Sequence, residues 1–152
     1  MTATVFARLD DLQDRVGEVL GTSDWFEIDQ ARIDRFAEAT GDHQWIHVDP
    51  QRAAAGPFGT TIAHGFLTLS LLPVLAEACY RIEDSPMGIN YGLNRVRFTA
   101  PVPVGSRVRL SLKLLSFEPI DGGAQLTCEA LIEREGQTRP VCVAESIARR
   151  YR

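Results

Sequence analysis

The chain has no basic excess, no even set of cysteines, no apolar run of bilayer length and no low-complexity tract, and each absence removes a class of function. Sixteen Lys and Arg against twenty Asp and Glu leave a net charge of -4. A nucleic-acid surface shows the opposite balance, so local arginine clusters are the only places left to hold a phosphate-bearing ligand. The three cysteines, Cys79, Cys128 and Cys142, are odd in number and sit among apolar residues. Buried reduced thiols of a cytoplasmic protein fit this better than a disulfide framework. Asp10, Asp11, Asp14 and Glu18 interrupt the first residues, so no signal peptide is expected. The leucine-rich stretch from Phe66 to Ala78 is shorter than the roughly 20 residues of a membrane span and contains Pro73; it reads as a core helix, and no membrane contact is expected.

What is present is an ordinary globular composition, with 45% hydrophobic and 24% charged residues over 152 positions, enough for one well-buried core. No linker or repeat divides the chain, so residues 1–152 are expected to form a single domain. Phe6, Leu9, Leu12 and Val16 recur at helical spacing. Ile33, Phe36 and Ala37 do so again after Asp29, a candidate N-cap, and Gly41 is placed to end that second helix. Asp49 followed by Pro50 signals a short helix over 51–55, and Gly56-Pro57-Phe58-Gly59 must be a loop. From His64 to Tyr80 apolar residues fall on every side, which predicts a helix buried all round.

The second half alternates. Val108, Leu110, Leu112 and Leu114 share one phase, Leu126, Cys128, Ala130 and Ile132 another run, and a last strand passes through Val141 and Val143. Turns are expected at 119–123 and at Glu135-Gly136-Gln137, giving antiparallel strands. Upstream, Met87, Ile89, Tyr91 and Leu93 are out of phase with Val96 and Phe98, and a bulge near Asn94 would restore inward packing. The class is therefore α+β, an antiparallel sheet wrapped around a long central helix.

Chemistry concentrates in Thr40-Gly41-Asp42-His43-Gln44-Trp45-Ile46-His47-Val48-Asp49-Pro50, where a carboxylate stands five positions before a histidine. Asp42 and His47 are suited to share one water as acid and base, since an imidazole titrates near neutrality and a part-buried carboxyl can be shifted towards it. The plainer readings are a turn carboxylate for Asp42 and a hydrogen-bonded core histidine for His47. A metal site would draw on His43 and His47, four apart, with Asp42, Asp49 and His64 gathered nearby, but the two histidines follow a helix-ending glycine and precede Asp49-Pro50, so they are not expected to aim at one ion; no metal and no other cofactor is anticipated.

These residues, with Ala63-His64-Gly65-Phe66 downstream, resemble the MaoC-like family of hot-dog proteins, which includes the R-specific enoyl-CoA hydratases. The resemblance runs from about Phe26 to the C-terminus, and its two motifs stand in the family's order. It implies a hot-dog fold, Asp42 and His47 as the catalytic dyad, and the Gly65 N–H at the head of the central helix as donor to the thioester oxygen. It also implies hydration of trans-2-enoyl-CoA to the R-3-hydroxyacyl product. The family's usual asparagine and proline between the two catalytic residues are replaced by Gln44 and Trp45, which puts the pocket lining and substrate preference in question. Gln44, Trp45 and His64 are accordingly expected on the substrate side, with His64 also supporting the loop before the helix. Arg95, Arg97, Arg107 and Arg109 either reach coenzyme A phosphates or form a solvated sheet face. Trp25 and Trp45 either line an acyl pocket or pack in the core. The rivals are a dehydratase acting on acyl carrier protein, a thioesterase, and a non-catalytic acyl-binding module. A sheet curved around one helix leaves an edge strand uncovered, and a homodimer is expected to cover it.

Overall fold

The computed structural model describes residues 2–152. Strand β1 (Thr4–Phe6) runs into a 3₁₀ turn over Leu9–Arg15, followed by β2 (Val19–Thr22) and β3 (Phe26–Ile28). Three helices come next, α1 (Gln30–Thr40), α2 (Trp45–Val48) and α3 (Pro50–Ala54). After a loop, α4 (Gly65–Ser70) and α5 (Leu72–Cys79) lead to β4 (Tyr80–Ile82) and β5 (Met87–Arg97). The chain closes with β6 (Ser106–Ile120), β7 (Gly123–Arg134) and β8 (Pro140–Tyr151).

The period-two pattern of the second half becomes the sheet, ordered β2-β6-β7-β8-β5, with β3 beside β2 on the same edge of β6. Its neighbouring strands are antiparallel. Val108, Leu110, Leu114, Leu126, Ala130 and Ile132 are almost fully buried on the face that meets the helices. Each such Val, Leu or Ile contributes about 1.5–3 kcal/mol relative to exposure. The β6–β7 turn is tighter than expected, because the strands extend to Ile120 and resume at Gly123; Gly122, at φ 76°, takes the left-handed conformation that closes it.

Three expectations are corrected. Phe6 to Val16 is not a helix: Leu9 and Leu12 are buried by the 3₁₀ turn, which places residues three apart on one side, whereas Phe6 lies in β1, paired parallel to β4, and Val16 is exposed. The central helix is broken. Pro73 has no N–H and its ring crowds the preceding turn, so the chain interrupts at Leu71 and restarts with proline in the first turn of α5. Nor is it buried all round. Leu67, Leu71, Leu75 and Cys79, four apart, form the stripe against the sheet, while Phe66 is 69% and Val74 47% exposed.

The register of β5 on β8 does shift between Leu93 and Arg95, the bulge expected near Asn94, and again between Asn90 and Gly92. Met87, Ile89, Tyr91 and Leu93 nevertheless stay exposed, because β5 is an edge strand with β8 as its sole neighbour in the sheet.

Candidate active site

The carboxylate and the imidazole are delivered by one turn and one short helix. Asp29 caps α1 by accepting from the Arg32 N–H at 2.8 Å, and Gly41, at φ 81°, ends it by donating its N–H to the Ala37 carbonyl. Asp42 then accepts from the Gln44 N–H at 3.3 Å through Oδ1, a turn stabilised by its own side chain. That turn opens α2, which carries His47. Asp49 caps α3 through the Arg52 N–H at 3.0 Å, with Pro50 at its start. The Gln30 side chain fastens α2 to the following loop, donating to the His47 carbonyl at 2.8 Å and accepting from Thr61 Oγ1 at 2.5 Å.

His47 is 7% exposed, and its Nδ1–H donates to the Ile62 carbonyl at 2.7 Å. A carbonyl can only accept, so the neutral ring keeps its lone pair on Nε2. Burial lowers the His47 pKa below 6.5, helped by the neighbouring His64 and opposed by the bond to Ile62 and by Asp42. The imidazole is thus biased towards its basic form at neutral pH.

His64, the middle residue of Ala63-His64-Gly65 and the one that precedes α4, lies 2% exposed. Its ring stacks on that of His47, centroids 3.8 Å apart and planes 22° apart, and meets the Phe36 ring at a tilt, centroids 4.8 Å apart. His64 Nε2 meets the Asp42 main-chain carbonyl at 2.9 Å, and the Asp42 carboxylate at 4.0 Å. Asp42 itself keeps half its side chain in solvent. Ligating atoms of Asp42, His47 and His64 all fall within 4.8 Å of one another, close enough for one water to touch acid and base together. The same three groups are spaced as a donor set for a divalent ion would be, but His64 Nε2, 4.0 Å from the carboxylate, is already bonded to the Asp42 main-chain oxygen.

Gly65 follows directly as the first residue of α4, where N–H groups have no acceptor within the helix. A Cβ at Gly65 would lie 2.7 Å from the Phe98 ring, so the residue is glycine for close packing as well as for access. Phe98 in turn meets Phe66 edge to face at 6.0 Å. Two hollows flank this aromatic pair. One, of about 340 Å³, is bounded by Gly65, Thr68, Phe58 and Phe98. The other, of about 500 Å³, lies between the central helices and the sheet, with Leu69, Leu72, Ala76, Leu112, Leu126 and Ile147 in its walls.

The remaining sequence candidates are placed as follows. Gln44 is exposed and caps the turn through its backbone. The Trp45 indole packs between the Arg52 guanidinium, 4.4 Å from its centroid, and Gly56. Arg107 pairs with Glu135 at 3.0 Å; Arg109 pairs with Glu133 and stacks on Trp25 at 4.4 Å. Arg97 donates to the Val96 carbonyl. Burial pushes the Cys79 and Cys142 thiols up to about 11 and Cys128 to about 12, so none is a poised nucleophile. Gln30, Phe36, Thr61 and Phe98 were not anticipated from sequence; each acts across a long stretch of chain, where no local pattern signals it.

A curved antiparallel sheet holding a central helix, with an acid and an imidazole beside that helix's N-terminus, defines a protein of the hot-dog class. Residues 11–135 match the model of the MaoC-like domain. The chain is 57% identical over 145 residues to 3-hydroxyacyl-thioester dehydratase Z of Mycobacterium tuberculosis, covering 95% of this chain and 96% of that protein. It is 50% identical to nodulation protein N of Rhizobium leguminosarum over 91% of this chain and 88% of that one. Its fold is shared with the R-hydratase from A. caviae involved in PHA biosynthesis, with a TM-score of 0.72, 24% identity and coverage of 88% and 94%. The chain belongs to the MaoC-like dehydratase family.

Proposed function

We propose that the protein adds water reversibly to trans-2-enoyl-CoA, giving (3R)-3-hydroxyacyl-CoA, with Asp42 and His47 as the dyad and no metal or redox cofactor. The observation that carries this is the locked His47 ring beside Asp42: Nδ1 is committed to Ile62, which leaves Nε2 as the basic nitrogen, and a ligating atom of the ring and one of the Asp42 carboxylate lie within 4.8 Å of each other. In hydration His47 Nε2 takes a proton from the water as its oxygen bonds to C3. The C2=C3 electrons move to C2 through an enolate-like thioester, and C2 takes its proton from Asp42, which enters this step in its acid form; the proton that His47 took from water then passes back to Asp42, so both groups end as they began. The Gly65 N–H donates to the thioester oxygen as charge builds on it, a contribution of about 10²–10³ in rate. The hollow of about 500 Å³ under the central helices holds the acyl chain. The relative named as a 3-hydroxyacyl-thioester dehydratase supports the reaction type and leaves the carrier open.

The protein works as a cytoplasmic homodimer in this reading. β5 offers an unpaired edge with Met87, Ile89, Tyr91 and Leu93 exposed along it, and Phe66 and Val74 stand uncovered nearby on the helices. Among the described residues no helix is long and apolar enough to cross a membrane.

The test is purified protein with crotonyl-CoA, followed by loss of enoyl absorbance and by the configuration of the product. Turnover to the R isomer is expected. The same acyl group on acyl carrier protein separates this reading from a fatty-acid elongation dehydratase, and release of free thiol would identify a thioesterase. A folded protein that binds acyl-CoA without turnover on any enoyl thioester would mark a binding module instead. Light scattering at working concentration should give a dimer mass; a monomer would refute the edge-strand argument.

A further inference from the structure

His64 belongs to none of the steps above, yet it is more enclosed than either member of the dyad. Its two nitrogens have unequal surroundings. Nε2 faces the Asp42 main-chain oxygen at 2.9 Å, which can only accept, while Nδ1 is buried without any hydrogen-bond partner. A proton on Nδ1 would be an orphaned donor and would leave Nε2 facing an oxygen lone pair to lone pair. The neutral ring therefore carries its proton on Nε2.

In that form the ring does two things at once. Its N–H holds the backbone of Asp42, the residue whose side chain must meet the water, across 22 positions of sequence. Its face stacks on the His47 ring, and it is itself in contact with the Phe36 ring. We infer that His64 is a positioning residue, held as the Nε2–H tautomer, that clamps the Asp42 backbone and the His47 ring into one geometry. The inference rests on the hydratase reading for its consequence in rate, but the tautomer and the clamp stand on geometry alone.

A substrate contact would be lost as KM, whereas a misplaced dyad is lost as kcat. Three substitutions separate the cases. His64→Leu removes the donor, His64→Gln places an amide N–H where Nε2 stood, and His64→Asn places one near Nδ1 instead. Misplacement of reacting groups by about 1 Å costs about 10²-fold in rate, so His64→Leu should lose about that in kcat with KM unchanged, and His64→Gln should recover most of it while His64→Asn should not. ¹⁵N NMR of the parent should show neutral His64 protonated on Nε2 and His47 on Nδ1. Parent-like kcat in His64→Leu, equal rescue by Asn and Gln, or an Nδ1–H tautomer for His64 would each overturn the proposal. If His64→Leu does not fold, the Gln and Asn pair and the parent spectrum decide. If the parent folds but hydrates nothing, the hydratase reading fails, and the tautomer still decides whether the clamp exists.

Discussion

Asp42→Asn is the substitution at which chemistry and folding should come apart most cleanly. Asp42 makes three hydrogen bonds: its N–H donates to Thr40 Oγ1, its Oδ1 accepts from the Gln44 N–H and its main-chain oxygen accepts from His64. An asparagine keeps all three, since its carboxamide oxygen also accepts and its backbone is unchanged. The side chain is half in solvent, so no packed volume is altered. Stability should therefore stay within about 0.5 kcal/mol of the parent, the range of surface substitutions. For a domain of this size that is a shift of about 1–2 °C in Tm. Activity should behave differently. A positioned acid or base is worth about 10²–10⁴ in rate, and about 3–5.5 kcal/mol of barrier at 1.36 kcal/mol per decade. The loss should appear in kcat and kcat/KM together, because the carboxyl acts on the moving proton and not on substrate binding. Thermal melting beside crotonyl-CoA hydration measures both quantities on one preparation. An Asn variant with unchanged Tm that keeps more than about a tenth of the parent kcat/KM would refute the dyad, since no acid–base role fits so small a loss.

His47→Asn should likewise abolish most turnover while keeping a donor for the Ile62 carbonyl, whereas His47→Ala leaves that buried acceptor unpaired and should cost about 1–3 kcal/mol more in denaturant unfolding. The His47 pKa lies below 6.5 when folded, so the acid limb of kcat/KM should have its midpoint below 6.5 in a pH–rate profile. The sign for stability follows. Between the folded and unfolded values the unfolded chain binds more protons, so the contribution of neutral His47 is complete above 6.5 and is lost as pH falls through the folded value; Tm against pH should drop on that side, and His47→Asn should flatten it. Gly21→Ala would drive its Cβ onto the Cys79 carbonyl, backbone against backbone, so a loss of about 1–3 kcal/mol or more is expected by chemical denaturation.

The parts of the fold that were legible in sequence are those whose periodicity is decided locally. Alternation in 108–114 and 126–132 became β6 and β7 because one face of each strand is buried through those residues. The Asp29 and Gly41 boundaries of α1 held because cap chemistry acts within one turn. Phe6 to Val16 misled because helical spacing and a strand followed by a 3₁₀ turn bury overlapping residues; only pairing with β4, far along the chain, distinguishes them. The central helix misled in another way. Composition shows how many apolar residues a helix has, but whether each is covered depends on what lies beside it, and Phe66 and Val74 are left exposed.

At the site, the plain readings of Asp42 and His47 and the chemical ones turn out not to compete. Asp42 is a turn carboxylate, accepting from Gln44, and His47 is a hydrogen-bonded core histidine, donating to Ile62. Those same bonds supply what acid–base work requires: the turn sets where the carboxylate stands, and the Ile62 carbonyl commits Nδ1 so that Nε2 is left to accept a proton. A five-residue interval was enough to suggest the pair because both ends lie in one turn and one short helix. It carried no trace of the groups that hold them, since Gln30 reaches Thr61 across 31 positions and His64 reaches Asp42 across 22. Local order thus names the candidate residues, and tertiary order supplies the residues that hold them in place. A substitution at Gln30 or Phe36, invisible to any motif, should therefore lower turnover through geometry while leaving both reactive side chains in place.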